Sequence, residues 1–292
     1  MFCTIATASH APAALACLRS LGARHPASRL VLLAVGRVQA AGVEVLAVER
    51  CVPAAVLAGM RSRYTAAELC FAVKPFLLAH LLEQAAQVHY LDGDCLAFAP
   101  LQPLVAQLDG ADLLLTPHAL APIPDDGRTP HPLTVLRGGA FNGGYLGVRN
   151  TAEGLRFARW LGDMTQRYAR NAPDAGMCGD QRWLDLVPAL FPGAAVCRHP
   201  GANAAYWNLH ERPLTLEAPE AFRVNGAPLL FFHFSGYRAA RPRRLSVHQD
   251  RHPVPPGSAL DALLAAYRQA LRQEASPRPA LWRRALGLSS RP

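Results

Sequence analysis

The sequence predicts a mixed α/β domain, and three observations carry that reading. Short apolar, β-branched runs alternate along the chain with segments whose apolar residues recur at helical spacing. The 292 residues, 51% hydrophobic and 17% charged, are enough to bury a sizeable core and exclude a disordered chain. A proline-glycine stretch, Val254 to Ser258, closes the alternating series.

Taken in order, Phe2 to Thr7 reads as a buried strand and Ala11 to Leu21 as the helix that follows it, the opening of an α/β unit. Leu30 to Val35 and Val43 to Val48, split by a turn at Gly36 to Gly42, read as neighbouring strands of the same sheet. Ala66 to Gln84 has a helical period, and Pro75 near its middle predicts two helices or one with a break. Gln87 to Leu91 and Ala111 to Thr116 are further strands, and Pro122 to Pro132 is a proline-rich polar loop. Phe141 to Val148, preceded by Gly138 and Gly139, is a strand, Ala152 to Ala169 an amphipathic helix, Asp180 to Leu190 a shorter helix and Pro228 to Phe234 the last strand. One domain therefore covers residues 1–255. Residues 256–292 hold the rest of the linker, a helix from Ala259 to Gln273 with Leu260, Leu263, Leu264, Tyr267 and Leu271 on one side, and a tail rich in proline and arginine.

Lysine and arginine total 30 against 21 acidic residues, a formal charge of +9, yet Lys74 is the single lysine. Arginine, alanine and proline share GC-rich codons, so a GC-rich bacterial genome accounts for the arginine and leaves the lone lysine conspicuous. A basic balance suits nucleic acid, an acidic membrane surface or phosphorylated substrates. No aromatic-basic nucleic-acid motif occurs, so nucleic acid is not an expected partner. The seven cysteines are odd in number and show no C-x-x-C spacing, which argues against a disulfide framework or a structural zinc site and makes the reducing cytosol the expected compartment. Met1 to Thr7 has no basic n-region, and no stretch approaches the ~20 uninterrupted apolar residues of a spanning helix, so neither a secretory signal nor a membrane span is expected.

Five clusters could carry chemistry. Asp92-Gly93-Asp94 follows the strand Gln87 to Leu91 directly, and two carboxylates at a strand terminus can face one hard divalent cation while leaving positions for phosphate oxygens. Read alone, the same residues are an aspartate-glycine turn. His233, in Phe231-Phe232-His233-Phe234-Ser235-Gly236, could join the carboxylates or be an ordinary core histidine. The glycine-rich run Gly138 to Gly147 lacks the G-x-G-x-x-G order and no G-K-[ST] occurs, which excludes dinucleotide-binding and P-loop readings. It presents Asn142, an amide suited to a hydroxylated ligand, or is a bulged strand that needs small residues. Asp180-Gln181-Arg182-Trp183 and Asn203 to Arg212 set aromatics beside amides and charges, as carbohydrate sites do, or are a helix capped by Asp180 and core packing of Trp183 and Trp207.

In that order, Tyr90-Leu91-Asp92-Gly93-Asp94, Phe141-Asn142-Gly143-Gly144-Tyr145-Leu146, Asp180-Gln181-Arg182-Trp183 and His233-Phe234-Ser235-Gly236 together resemble the GT-A glycosyltransferases, most closely those of family 8. Ala72-Val73-Lys74-Pro75 is similar to the K-P segment that precedes the D-x-D strand there, and the resemblance spans Phe2 to Arg251. It implies a GT-A-type, Rossmann-like mixed sheet flanked by helices, with a C-terminal helical tail. It also implies metal-dependent transfer of a sugar from a nucleotide-diphosphate donor, expected to be a UDP-sugar, to a hydroxyl of a glycan or lipid-linked acceptor in bacterial surface glycan synthesis, with retention of anomeric configuration. Asp92, Asp94 and His233 would then hold Mn²⁺ or Mg²⁺. Thr7 and Ala8 would border the nucleoside, and Gly93, Gly236 and Arg241 the donor phosphates. Lys74 would be the basic residue near the donor, with Asn142 and Asp180 at the transferred sugar, and these three form the expected catalytic group. Family 8 often ends its histidine motif with a lysine, whereas this chain continues Tyr237-Arg238 and reaches Arg241, whose fork geometry differs from an ammonium.

Two other classes stay open on the residues alone. A nucleotidyltransferase or metal-dependent phosphoesterase would also use paired carboxylates, although Thr7 to Leu21 lacks the glycine and lysine of a nucleotidyltransferase loop. A non-catalytic basic module would use its arginines on phosphate-rich surfaces. Arg278 to Arg291, with Trp282 and Leu286, could add peripheral contact with the inner membrane or be a solvated end.

Overall fold

Along the first strand, β1 (Phe2–Thr7), the side chains divide by alternation: Cys3 and Ile5 enter one apolar cluster, Phe2 and Ala6 the opposite one. That is the pattern of a strand covered on both faces. The computed structural model, which describes residues 1–275, builds the rest of the domain around it. The expected basic tail, Arg278 to Arg291 with Trp282 and Leu286, lies outside the described residues.

After α1 (Ala11–Arg24) come β2 (Leu30–Val35) and β3 (Glu44–Ala47), then α2 (Ala54–Arg63), α3 (Ala66–Leu82) and β4 (Gln87–Leu91). β5 (Cys95–Ala97), α4 (Gln102–Asp109), β6 (Leu113–Pro117) and α5 (Pro132–Gly138) lead to β7 (Phe141–Arg149) and α6 (Ala152–Tyr168). The two-residue strands β8 (Asn171–Ala172) and β9 (Met177–Cys178) precede a 3-10 helix at Gln181–Leu186, α7 (Val187–Leu190) and β10 (Ala194–Val196). A small antiparallel sheet, β11 (Leu214–Leu216), β12 (Phe222–Val224) and β13 (Ala227–Pro228), is followed by β14 (Phe231–His233) and α8 (Ala259–Ala275).

The main sheet has seven strands in the order β10-β6-β7-β4-β1-β2-β3. β7 runs antiparallel to both its neighbours, and the other pairings are parallel. α1 and α4 cover one face, and α2, α3 and α6 the other. This is the mixed sheet flanked by helices that the sequence predicts.

Three elements differ from expectation. α3 runs unbroken through Pro75. A capping box at Thr65 and Glu68 fixes its start, and Lys74, Pro75, Leu77 and Leu78 are all buried. Tertiary burial on that scale outweighs the ~3 kcal/mol that an interior proline costs an isolated helix. The segment from Asp180 to Leu190 is mostly a 3-10 helix, and Asp180 makes no side-chain cap. The strand expected from Pro228 to Phe234 is split, and β14 pairs antiparallel with β5, outside the main sheet.

α8 packs against a third apolar cluster through Leu263, Leu264 and Tyr267, and the Tyr267 ring stacks on Phe234 at 3.8 Å. All seven cysteines are free thiols. Among the described residues, no helix is long and apolar enough to cross a membrane.

Candidate functional site

The D-x-D segment is the turn between β4 and β5. Its glycine is required by a close approach: a Cβ on Gly93 would lie 3.1 Å from that of Ala14 in α1. β5 and β14 form a short antiparallel ladder in which His233 faces Cys95, and Phe234 N–H donates to Asp94 O at 2.9 Å. Backbone pairing thereby carries the histidine, 139 positions on in sequence from Asp94, to the carboxylates. His233 Nε2 lies 3.0 Å from Asp94 Oδ1 and 3.9 Å from Asp92 Oδ2. Burial disfavours charge on the imidazole, but Asp94, with Asp92 beyond it, outweighs burial and holds the His233 pKa above its ordinary value. Asp94 moves the opposite way: burial would raise it, and His233 brings it below the usual carboxylate value.

One imidazole and two carboxylates suit a hard divalent cation. Cys95 Sγ also lies with Asp94 and His233 within a 4.8 Å cluster, but burial keeps its pKa well above the ordinary thiol value, so it stays a protonated, soft group. Tyr90, which no sequence argument singled out by role, donates its hydroxyl to Asp92 Oδ1 at 2.7 Å. Burial, with the Asp92 charge, keeps that phenol protonated.

Behind the turn stands Lys74. Its ammonium lies 2.7 Å from Asp180 Oδ2 and 3.8 Å from Asp92 Oδ1, donates to Gly143 O at 2.8 Å, and sits over the Tyr90 ring at 4.4 Å. The side chain is 1% exposed. Burial alone would lower its pKa, and the two carboxylates reverse that, so it titrates above its ordinary value of 10.5. Its charge therefore contributes through neutral pH and is lost only as pH climbs through that raised value. The sequence reading set Lys74 against the donor and Asp180 against the transferred sugar. In the structure the two are buried against each other, and Asp180's own pKa is raised by burial despite the lysine.

β7 crosses between these groups without side chains in the way. A Cβ on Gly143 would meet Asp180 Oδ2 at 3.2 Å, and one on Gly144 would meet His233 Cε1 at 2.4 Å. The amide of Asn142, expected to reach a hydroxylated ligand, is committed inside the protein. Its Nδ2 donates to Gln181 Oε1 at 2.9 Å and to His118 Nε2 at 3.3 Å, and its Oδ1 accepts from Gly144 N–H at 2.9 Å. His118, pushed down to about 4 by burial, is neutral and donates its Nδ1–H to Gly139 O at 2.7 Å.

Thr7 ends β1 and Ala8 opens the 3-10 turn Ala8–His10, where Thr7 Oγ1 lies 3.0 Å from both Ser9 Oγ and His10 Nδ1. Gly236 has a left-handed φ of 72°, and a Cβ there would strike Ser246 and His248 at 2.5 Å, so packing within the chain explains this glycine. Arg241 is exposed on the following turn. The aromatic-amide cluster builds structure: Asn208, fully buried, ties Ala205 N–H, Asn203 O and His118 O together, and Trp207 is 5% exposed. The loop over residues 118–131 is tethered at both ends. Glu211 accepts from Leu120 N–H at 2.8 Å, and Arg251, 8% exposed, forks onto Asp126 and donates to Pro124 O and Pro130 O.

No protein-family model matches the chain. Two curated relatives, the uncharacterized proteins YfnF and YfnD of Bacillus subtilis (strain 168), are each 28% identical to it, over 174 and 183 residues. The matches cover 59% and 61% of this chain and 57% and 56% of the relatives, so the chain spans little more than half of their length. Among solved structures it is similar to the galactosyltransferase LgtC in complex with donor and acceptor sugar analogs, with a TM-score of 0.55, 16% identity, and coverage of 97% of this chain and 98% of LgtC. An active-site mutant of LgtC gives a TM-score of 0.53 at the same identity and coverage. The chain has the GT-A fold of that enzyme.

A buried pair is costly to break and cheaper to remove whole. Lys74→Met should lower urea stability by ~3–5 kcal/mol, because Asp180 is left buried and unpaired. Lys74→Met/Asp180→Asn should lose less than the two single changes together, and strictly additive losses would refute the coupling.

Proposed function

We infer that the chain is a divalent-cation-dependent glycosyltransferase that moves a sugar from a nucleotide-diphosphate donor, a UDP-sugar first among candidates, to a hydroxyl of a glycan or lipid-linked acceptor. The observation that carries this reading is the meeting of Asp92, Asp94 and His233 at the end of β4, with Nε2 3.0 Å from Asp94, on a fold shared with a galactosyltransferase. A phosphoesterase would use similar carboxylates, but the fold favours sugar transfer, and bacterial surface glycan synthesis fits the acceptor class.

A cation held by Asp92, Asp94 and His233 supplies Lewis-acid neutralisation of the charge that develops on a departing diphosphate. Tyr90 aims Asp92 through its hydroxyl, and Lys74 adds a fixed positive charge 3.8 Å from the same carboxylate. In this reading Thr7 and Ala8 border the nucleoside, and acceptor contacts come from the Pro122 to Pro132 loop and from Tyr206 to Arg212.

Transfer with retention, by attack of the acceptor hydroxyl on the leaving-group side, is the stereochemical part of the proposal. Proton NMR of the first-formed product reads it, and an inverted anomer refutes it.

The functional test is a panel of nucleotide sugars assayed for slow Mn²⁺-dependent hydrolysis, which needs no acceptor. One donor should release its nucleoside diphosphate, and EDTA or Asp94→Asn should cut that rate by about 10²-fold or more. No hydrolysis from any donor, or Asp94→Asn retaining Mn²⁺-dependent UDP affinity, sinks the reading.

A protonated imidazole has no lone pair for a cation. Because the His233 pKa is raised, Mn²⁺ affinity measured by calorimetry should fall on acidification from above the ordinary 6.5, and His233→Gln should flatten that limb. An affinity of the unaltered protein that stays constant down to about pH 6 would contradict it.

A further inference from the structure

His233 has two ring nitrogens, and only one can be turned toward the aspartates as a lone pair. Which one it is follows from a chain of hydrogen bonds that starts at a backbone amide. Gly144 N–H can only donate, and it lies 2.9 Å from Asn142 Oδ1, so that oxygen is an acceptor. One atom of the Asn203 side chain reaches the same oxygen at 2.9 Å and Thr116 Oγ1 at 2.8 Å, and must be its amide nitrogen, Nδ2. The remaining atom, Asn203 Oδ1, can only accept, and it lies 3.3 Å from His233 Nδ1. Nδ1 therefore faces an atom that can only accept, and when Nε2 gives its lone pair to a cation the ring proton is left on Nδ1 for Asn203 Oδ1; without a cation, Asp94 Oδ1 at 3.0 Å is a second acceptor, opposite Nε2.

The surroundings allow this arrangement and little else. Asn203 is fully buried with a left-handed φ of 52°, a conformation asparagine adopts more readily than most residues. Trp207 packs edge-on against the imidazole at 5.1 Å, and any Cβ at Gly144 would strike the ring.

We propose that Asn203 is the positioning residue of this site: by accepting the Nδ1 proton it fixes the tautomer and direction of His233, and cation affinity follows from that. The proposal rests on the reading of Asp92, Asp94 and His233 as a cation site. Partners of this kind change metal affinity by about 10- to 100-fold when removed.

The experiment titrates the full-length protein with Mn²⁺ alone, with free ion read by electron paramagnetic resonance. Asn203→Ala should weaken binding by about 10-fold or more, whereas Asn203→Asp should stay within about threefold of wild type. The aspartate keeps an acceptor opposite Nδ1 but loses both donations, to Thr116 and Asn142, so both variants should lower the thermal midpoint of the metal-free protein. A merely structural role would move affinity and stability together in both. Wild-type affinity in Asn203→Ala, or equal weakening in the two variants, overturns the proposal.

If wild type binds Mn²⁺ no better than Asp94→Asn, the cation reading has failed, and Asn203 is judged on the ring-nitrogen NMR shifts of His233 at alkaline pH in metal-free Asp94→Ala, which lacks the competing acceptor opposite Nε2. A proton on Nδ1 there that a further Asn203→Ala change releases upholds the positioning role. A proton on Nε2 in Asp94→Ala, or no change when Asn203→Ala is added, overturns it.

Discussion

A full positive charge sits where almost no water reaches, at Lys74, and it can be tolerated only with carboxylates packed around it. Asp180 supplies the close partner and Asp92 the second, so the lysine ties the middle of α3 to the segment after β9 and to the turn after β4. Its third contact, to Gly143 O, adds β7. Four separate stretches of chain are thus held to one ammonium. The arrangement constrains more than it stabilises, because a hydrophobic cluster of the same volume would cost less desolvation. What it yields is a carboxylate, Asp92, held in place while about a quarter of its side chain remains open to the solvent side.

β7 is the part of the sheet that lets these groups meet. As the one antiparallel strand between β4 and β6, it lies beside the D-x-D strand throughout, and its adjacent glycines face the lysine pair and the histidine respectively. The buried ion pair and the open aspartate-histidine set meet beside this backbone, joined directly by the 3.8 Å approach of Lys74 to Asp92.

Much of this was legible in the sequence because it is periodic or local. β4 is read from an apolar run of five residues, and the acidic turn that ends it needs only adjacency to be noticed. β1, β2 and α6 follow from simple periods. Lys74 stood out by composition, yet its burial did not, since a lysine in an apolar helix reads equally as a solvated charge. The same limit hid Pro75, whose neighbours in space decide that the helix continues. Asn142 reads equally as a ligand-facing amide or as part of a bulged strand, because sequence gives a side chain's chemistry but not the direction in which it is spent. Tyr90 and Gln181 lay inside recognised motifs without a role, as hydroxyl and amide partners are set by angles that only the folded chain defines. β5 and α2 were missed for a different reason: one is three residues long, and the other buries only Leu57 and Met60.

The pairing of β14 with β5 has a consequence for how the molecule comes into being. All seven strands of the main sheet have been synthesised once Val196 is made, and so have Lys74, Asp180 and both aspartates of the turn. The histidine comes later, with β14, and the ring that stacks on its neighbour Phe234 later still, at Tyr267. A chain emerging from the ribosome therefore contains every strand of the main sheet before it contains the third ligand of the proposed cation site. The proposed cation site is thus completed only within the last fifth of the described residues, after every strand of the sheet that carries its aspartates.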